Sequence, residues 1–360
     1  MRSKLLLLIL VFLGFLSCKN ETVDKPVLHR ISGQTMGTNY NISYLNTDPT
    51  VSKAQMDSIL IDINNAVSTY IPESRISQFN MDSLANNYSD TEDEYTLSYE
   101  SERNPHFEKN FRIAKDIYIE TQGFFDPSIM PLVNYWGFGY KDKKAVLEID
   151  STRVRDLAKL CDFSQWKIST DSSGLSLTKP ANAELDFSAV AKGYAVDVLA
   201  EFLQNKGFAN YMVEIGGEIY CSGNNGNSDH WKIGLSKPEI AASVKDLQSI
   251  IHLSDKAMAS SGNYRNYYDV NGRIYGHEIN PLTGFPEINE LLGVTVLADN
   301  CAKADALATA FMVMGKSRTM DWLGHNPDVE AVLFFRNEND EIDQIPLNGI
   351  DQYLEKLSPN

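Results

Sequence analysis

The stretch AVAKGYAVDVLAEFL, Ala189 to Leu203, reads as an amphipathic helix, and Gly207 just beyond it supplies a left-handed stop. Ahead of it, ELDFS (184–188) offers Asp186 and Ser188 as N-cap groups. Behind it, YMVEIGGEIYCSG (211–223) alternates apolar and polar residues as strands do. More strands follow in HWKIGLSKP (230–238) and LLGVTVLAD (291–299). YRNYYDVNGRIYGHEIN (264–280) reads as a hairpin turning at Asn271-Gly272. Strands in runs with helices interspersed predict an α+β fold on a mainly antiparallel sheet.

Lys192 is oddly placed in this helix. Unpaired N–H groups give a helix N-terminus partial positive charge, so a cation in the first turn costs roughly a few tenths of a kcal/mol or more. Either the lysine snorkels to solvent, or something negative lies beside it. The same N–H groups bind phosphates, and a bound diphosphate would account for the lysine as well.

Outward from this helix, the ends of the chain carry different information. Residues 1–17 combine basic Arg2 and Lys4 with an apolar run from Leu5 to Phe15, the pattern of a signal peptide. That run is too short to span a bilayer, which takes roughly 20 residues. Cys18 directly after Leu16-Ser17 resembles a bacterial lipobox, which implies lipidation of Cys18 and a protein anchored to a membrane outside the cytoplasm. An ordinary secretory signal with an incidental cysteine is the alternative. Polar residues 18–30 read as a tether, and 31–357 as a single domain. The formal net charge of −16 argues against nucleic acid, whose phosphates demand a basic face. Cys161, Cys221 and Cys301 have neither disulfide nor zinc spacing and read as small buried hydrophobes.

Helices are expected over 52–68, from Phe107 to a stop at Gly123, and from Cys301 to Gly315. Acidic, aliphatic-poor 86–105 reads as a solvated loop or insertion, without the spacing of a calcium-binding EF-hand. GFFDPSIMPLVNYWGFGY (123–140) reads as a shaped loop.

On the last helix Asp305 and Thr309 are four apart and share a face, among Ala302, Ala304, Ala306, Ala308 and Ala310. A carboxylate and a hydroxyl one turn on suit part of a Mg²⁺ shell completed by phosphate and water; an exposed Asp and a back-bonding Thr would look the same. His277 precedes a Pro-x-Thr-Gly turn and is a candidate base. Glu214 and Glu218 flank two glycines, and solvent-facing strand positions are their simpler reading. No P-loop, GxGxxG, HExxH or GxSxG pattern occurs.

Taken in order, GQTMGTNY, STYIPESRISQFN, GFFDPSIMPLVNYWGFG, LDFSAVAKGYAVD, EIGGEI, HEINPLTG and ADALATA resemble the ApbE family of FAD:protein FMN transferases over roughly residues 31–335. The resemblance implies a T-fold-like lipoprotein or periplasmic enzyme. With Mg²⁺, such an enzyme splits FAD, joins FMN to an acceptor threonine through a phosphoester and releases AMP. It places Met36, Tyr70, Phe124, Phe125 and Asp126 around the flavin nucleotide. Asp186 and Lys192 would hold FAD, and Ile279 would pack on it. The Ala189 carbonyl, Asp305 and Thr309 would hold the metal. His277, or the metal-bound Asp305 carboxylate, would take the acceptor's proton. Acceptors would be membrane redox subunits of Rnf or Nqr type. Asn280 stands where many relatives have aspartate, and the acidic 86–105 stretch would shape the acceptor's approach. An FAD pyrophosphatase yielding free FMN and AMP, or a flavin-binding lipoprotein without catalysis, would share most of these residues.

Overall fold

Alternation along neighbouring strands builds the centre of the molecule. Ile219 and Cys221, Met258, Leu297, Val332 and Phe334 are buried on one face of a sheet. Tyr220, Ala257 and Ala259, Val296 and Ala298, Ala331 and Leu333 point to the other. The computed structural model describes residues 25–356, apart from 49, 86, 92–93, 142–145, 147, 173, 228, 240–245, 264–266 and 271–272. The expected signal peptide, Cys18 and the Asn271-Gly272 turn lie outside the described residues.

The sheet has eight strands in the order Val27–Thr35, Thr38–Asn46, Tyr211–Ile215, Glu218–Ser222, Lys256–Gly262, Leu291–Ala298, Glu330–Arg336 and Ile342–Leu347. Every pairing in it is antiparallel. Among the described residues seven α-helices accompany it: α1 (Lys53–Val67), α2 (Arg75–Asn80), α3 (Pro105–Glu120), α4 (Met130–Tyr135), α5 (Ser151–Ala158), α6 (Ala191–Asn205) and α7 (Cys301–His325). The apolar sides of α1, α3, α6 and α7 form the main core with one sheet face. A three-stranded sheet of Trp231–Ser236, Leu247–Leu253 and Leu354–Lys356 covers the other. A third cluster joins Trp136, Val154, Leu157 and Ile279 around α4 and α5. The α+β, mainly antiparallel expectation is borne out.

Side-chain caps start the helices where the sequence suggests. Ser52 and Gln55 form a reciprocal capping box on α1, and Asn104 and Asn300 cap α3 and α7. At α6 the expectation fails. The N-cap is Val190, with no side-chain bond, while Asp186 and Ser188 belong to the preceding turn.

Three other expectations change. The acidic 86–105 stretch contains strands Asn87–Thr91 and Glu94–Ser101, joined to Leu175–Pro180 and Lys167–Thr170 in a four-stranded sheet. Leu97 and Tyr99, two apart, are buried there, so two apolar anchors outweigh the polar composition. The tether is shorter than residues 18–30, because pairing with the second strand begins at Val27. Within the shaped loop, residues 130–135 are helical. Gly315 does break the last helix, at φ 73° and ψ 172°, but helix resumes at once and runs to His325.

Candidate active site

The site begins where α6 and α7 touch. A Cβ on Gly193 would run into the Cys301 carbonyl and the Ala302 Cα, so only glycine allows this approach. The buried alanines at the start of α7 therefore admit a neighbouring backbone. The Gly193 N–H donates to Asp305 Oδ2 at 3.0 Å. One turn further on, Asp197 accepts the N–H groups of Cys301 (2.7 Å) and Ala302 (2.9 Å) at the start of α7. Burial nevertheless pushes the Asp197 carboxyl up to about 6.

This contact aims Lys192 at two carboxylates. Its Nζ lies 3.0 Å from Glu218 Oε1 and 3.6 Å from Asp305 Oδ1, and both acids are almost wholly buried. These charges resolve the lysine's unfavourable place in the helix. Burial alone would lower its pKa, yet the fields of Asp305 and Glu218 hold it above the ordinary lysine range. One ammonium cannot satisfy both acids. Burial and the nearby Asp305 push Glu218 well above the usual carboxylate range despite Lys192. Glu218 Oε2 is buried with no hydrogen-bond partner among the described residues.

These groups line a cavity of about 580 Å³. Ala189, Lys192, Asp305 and Thr309 form part of its wall, and Tyr70, Phe124 and Phe125 bring aromatic surface. Asp126, Asp186, His277 and Ile279 also reach it. The sequence-predicted residues thus converge, with one exception. Met36 occupies a two-residue hairpin turn at φ 49°, and it packs on the main core instead of lining the cavity.

Asp126 and Asp186 share a local motif. Each accepts both the N–H and the hydroxyl of the serine two residues on, at 2.5–2.8 Å. The Asp186 N–H donates to the Pro127 carbonyl at 2.7 Å and ties the two turns together. Burial raises the pKa of both acids. His277 stays partly open, 39% exposed, with Nδ1 3.5 Å from Glu278 Oε2. Asn280 caps the following turn: its Oδ1 accepts from Leu282 N–H and its amide donates to Glu287, both at 2.9 Å.

Glu218 is the functional residue that its sequence context conceals. Its alternation matches a solvent-facing strand, but Gly216 and Gly217, both at positive φ, return the chain so that it faces Lys192. Glu214 lies outside the cavity and accepts from Asn41 and Gly217 instead. Two serines of the Lys256–Gly262 strand also line the cavity; Ser261 Oγ is 3.4 Å from Thr309 Oγ1, and Ser260 bonds Thr295 at 2.8 Å. Their polar faces on a central strand are the signal that could have revealed them.

The site suits a small hard cation. The resemblance supplies a carbonyl, a carboxylate and a hydroxyl, the oxygen donors Mg²⁺ prefers. Two acids face the one ammonium, and a Glu218 oxygen lacks a hydrogen-bond partner among the described residues, so the pocket has acceptor oxygens to offer a cation. Among the described residues no group of three His, Cys, Asp or Glu side chains gathers, so phosphate and water would complete any shell.

An antiparallel α+β scaffold holding an ammonium between two acids, beside aromatic walls, defines a class of protein that can receive a flat ring bearing phosphates. The ApbE family model matches residues 36–333, and the chain belongs to the ApbE family. It is 36% identical over 302 residues to the FAD:protein FMN transferase of Vibrio cholerae, covering 82% of this chain and 85% of that one. The Haemophilus influenzae protein of the same name is 31% identical, with 91% of each chain covered. Among solved structures, the flavin transferase ApbE from Vibrio cholerae superposes with a TM-score of 0.77 at 31% identity, over 91% of this chain and 99% of that one. The apo flavinyl transferase ApbE of Pseudomonas stutzeri gives 0.78 at 25% identity, over 92% and 98%.

Proposed function

We propose that this chain is an FAD:protein FMN transferase that uses Mg²⁺ and an acceptor threonine. The observation that carries the reading is Lys192 held between Glu218 and Asp305 in the aromatic-walled cavity. Such a cluster gives a diphosphate a cation to pair with, and the aromatic walls give an isoalloxazine or adenine ring a surface to stack on.

In the proposed reaction the threonine oxygen attacks the FMN-side phosphorus. A new P–O bond forms, the bond from that phosphorus to the bridging oxygen breaks, and AMP leaves with the electron pair. His277 accepts the threonine proton, and Lys192 neutralises the diphosphate as charge shifts onto AMP. Phe124, Phe125, Tyr70 and Ile279 orient the flavin nucleotide, and the Asp126 and Asp186 turns shape its floor. Mg²⁺, held by the Ala189 carbonyl, Asp305 and Thr309, would supply further charge neutralisation when bound.

Purified protein with FAD, Mg²⁺ and an acceptor subunit tests this. The expected result is in-gel flavin fluorescence on the acceptor, FMN mass on a threonine peptide and equimolar AMP. Free FMN and AMP alone would favour hydrolysis, and FAD left intact would sink both enzymatic readings.

We also propose that Cys18 is lipidated and holds the enzyme on the outer side of a bacterial membrane, where Rnf- or Nqr-like subunits are its acceptors. LSC after a basic, apolar leader supports this. Cys18→Ala should move the protein from the membrane fraction to the soluble one; unchanged fractionation would refute the anchor.

A further inference from the structure

We propose that Asp197 is a positioning residue for the metal-binding carboxylate Asp305, acting through the register of α6 against α7. This inference rests on the reading of Asp305 as a cation ligand. Two links at one-turn spacing define the register. Asp197 takes the first N–H groups of α7, Cys301 and Ala302, with one carboxylate oxygen each. Four residues earlier on α6, Gly193 donates its N–H to Asp305 Oδ2, four residues after Cys301 on α7. The two helices are thus clamped antisymmetrically, an acid of each binding the backbone of the other. Close contact at Gly193 leaves no slack between the clamps.

The consequence for chemistry lies in Asp305 itself. With Oδ2 fixed by Gly193, Oδ1 is the oxygen left facing Lys192 and the cavity. A helix end is the part of a helix freest to fray, and α7 carries Asp305 in its second turn. Asn300 caps one N–H of that end, that of Lys303, and Asp197 secures the two before it. Without Asp197, the first turn of α7 can shift on α6, and Asp305 Oδ1 loses its aim. Partners that orient a metal ligand in this way typically matter by about 10- to 100-fold in metal affinity.

Asp197→Asn keeps the shape but replaces one acceptor oxygen with an N–H₂ group that cannot accept. The test titrates the full-length protein, loaded with FAD, with Mn²⁺ and follows free Mn²⁺ by EPR. Asp305→Ala and Leu203→Ala are run alongside, and metal-free melting temperatures are recorded for all. Leu203 is a buried core residue of α6 away from the clamp. The expected result is an Mn²⁺ dissociation constant raised about tenfold in Asp197→Asn, near-wild-type in Leu203→Ala and lost in Asp305→Ala. Wild-type Mn²⁺ affinity in Asp197→Asn would overturn the positioning role. So would an equal loss in Leu203→Ala, since general loosening would then explain the effect. Retained binding in Asp305→Ala would instead overturn the metal assignment, and the positioning role with it.

Discussion

Asn280 shows how one atom settles a residue's identity. Its Oδ1 caps the turn, a task aspartate could share, but its amide donates to Glu287, a task aspartate cannot. Asn280→Asp should set two carboxylates against each other and cost about 1–3 kcal/mol near neutral pH. Urea melts at pH 7 and pH 4 would check this, because protonation at the lower pH should recover most of the loss. His277, at the cavity wall and partly open to an incoming chain, carries a different prediction. His277→Ala should slow FMN transfer about 10²- to 10⁴-fold with FAD binding kept. A near-normal rate in stopped samples would demote it to a structural part. Residue types and motif order made His277, Asp305 and Lys192 legible in the sequence. The partner of Lys192 was not legible, since Glu218 lies on a strand beyond the end of α6 and only folding brings the two to 3.0 Å.

Two glycines separate two kinds of constraint at the level of elements. Gly193 is needed for space: any Cβ there collides with the backbone of α7. Gly193→Ala should therefore cost about 3 kcal/mol or more, read as a drop in urea midpoint. Gly315 is needed for conformation: at φ 73° a Cβ would meet only Asn289, at ordinary contact distance. Gly315→Ala should cost about 1–3 kcal/mol by the same measurement, from backbone strain and not from collision, because φ 73° with ψ 172° is a region that side chains hardly enter. Helices with long apolar periodicity and local caps, such as α1 and α3, were legible to within a residue or two, because their signals are local. The strands at 87–91 and 94–101 were not. The second of them pairs with Leu175–Pro180, some eighty residues away, and composition alone marks such a segment as solvated.

Taken over the whole molecule, buried acids tie stability to pH. Burial raises Asp197 from an ordinary 3.8 to about 6 in the folded chain, so between those values the folded state binds more protons than the unfolded one. Stability from this group is therefore full below about pH 4 and lost as pH rises through 6, on the order of 2–3 kcal/mol. Glu218 acts in the same direction. Melting curves from pH 4 to 7 should show a flatter dependence in Asp197→Asn than in the wild type; parallel curves would mean that Asp197 titrates normally. By itself the sequence determined the α+β class, most helices and, through motif order, the family, because periodicity and motif order are properties of neighbours along a chain. Tertiary structure alone decided that Lys192 answers to Glu218 and Asp305, that Met36 turns to the core and that Asp197 grips α7. Those outcomes depend on distances between segments far apart in the chain, which burial and close packing set only when the sheet and helices assemble.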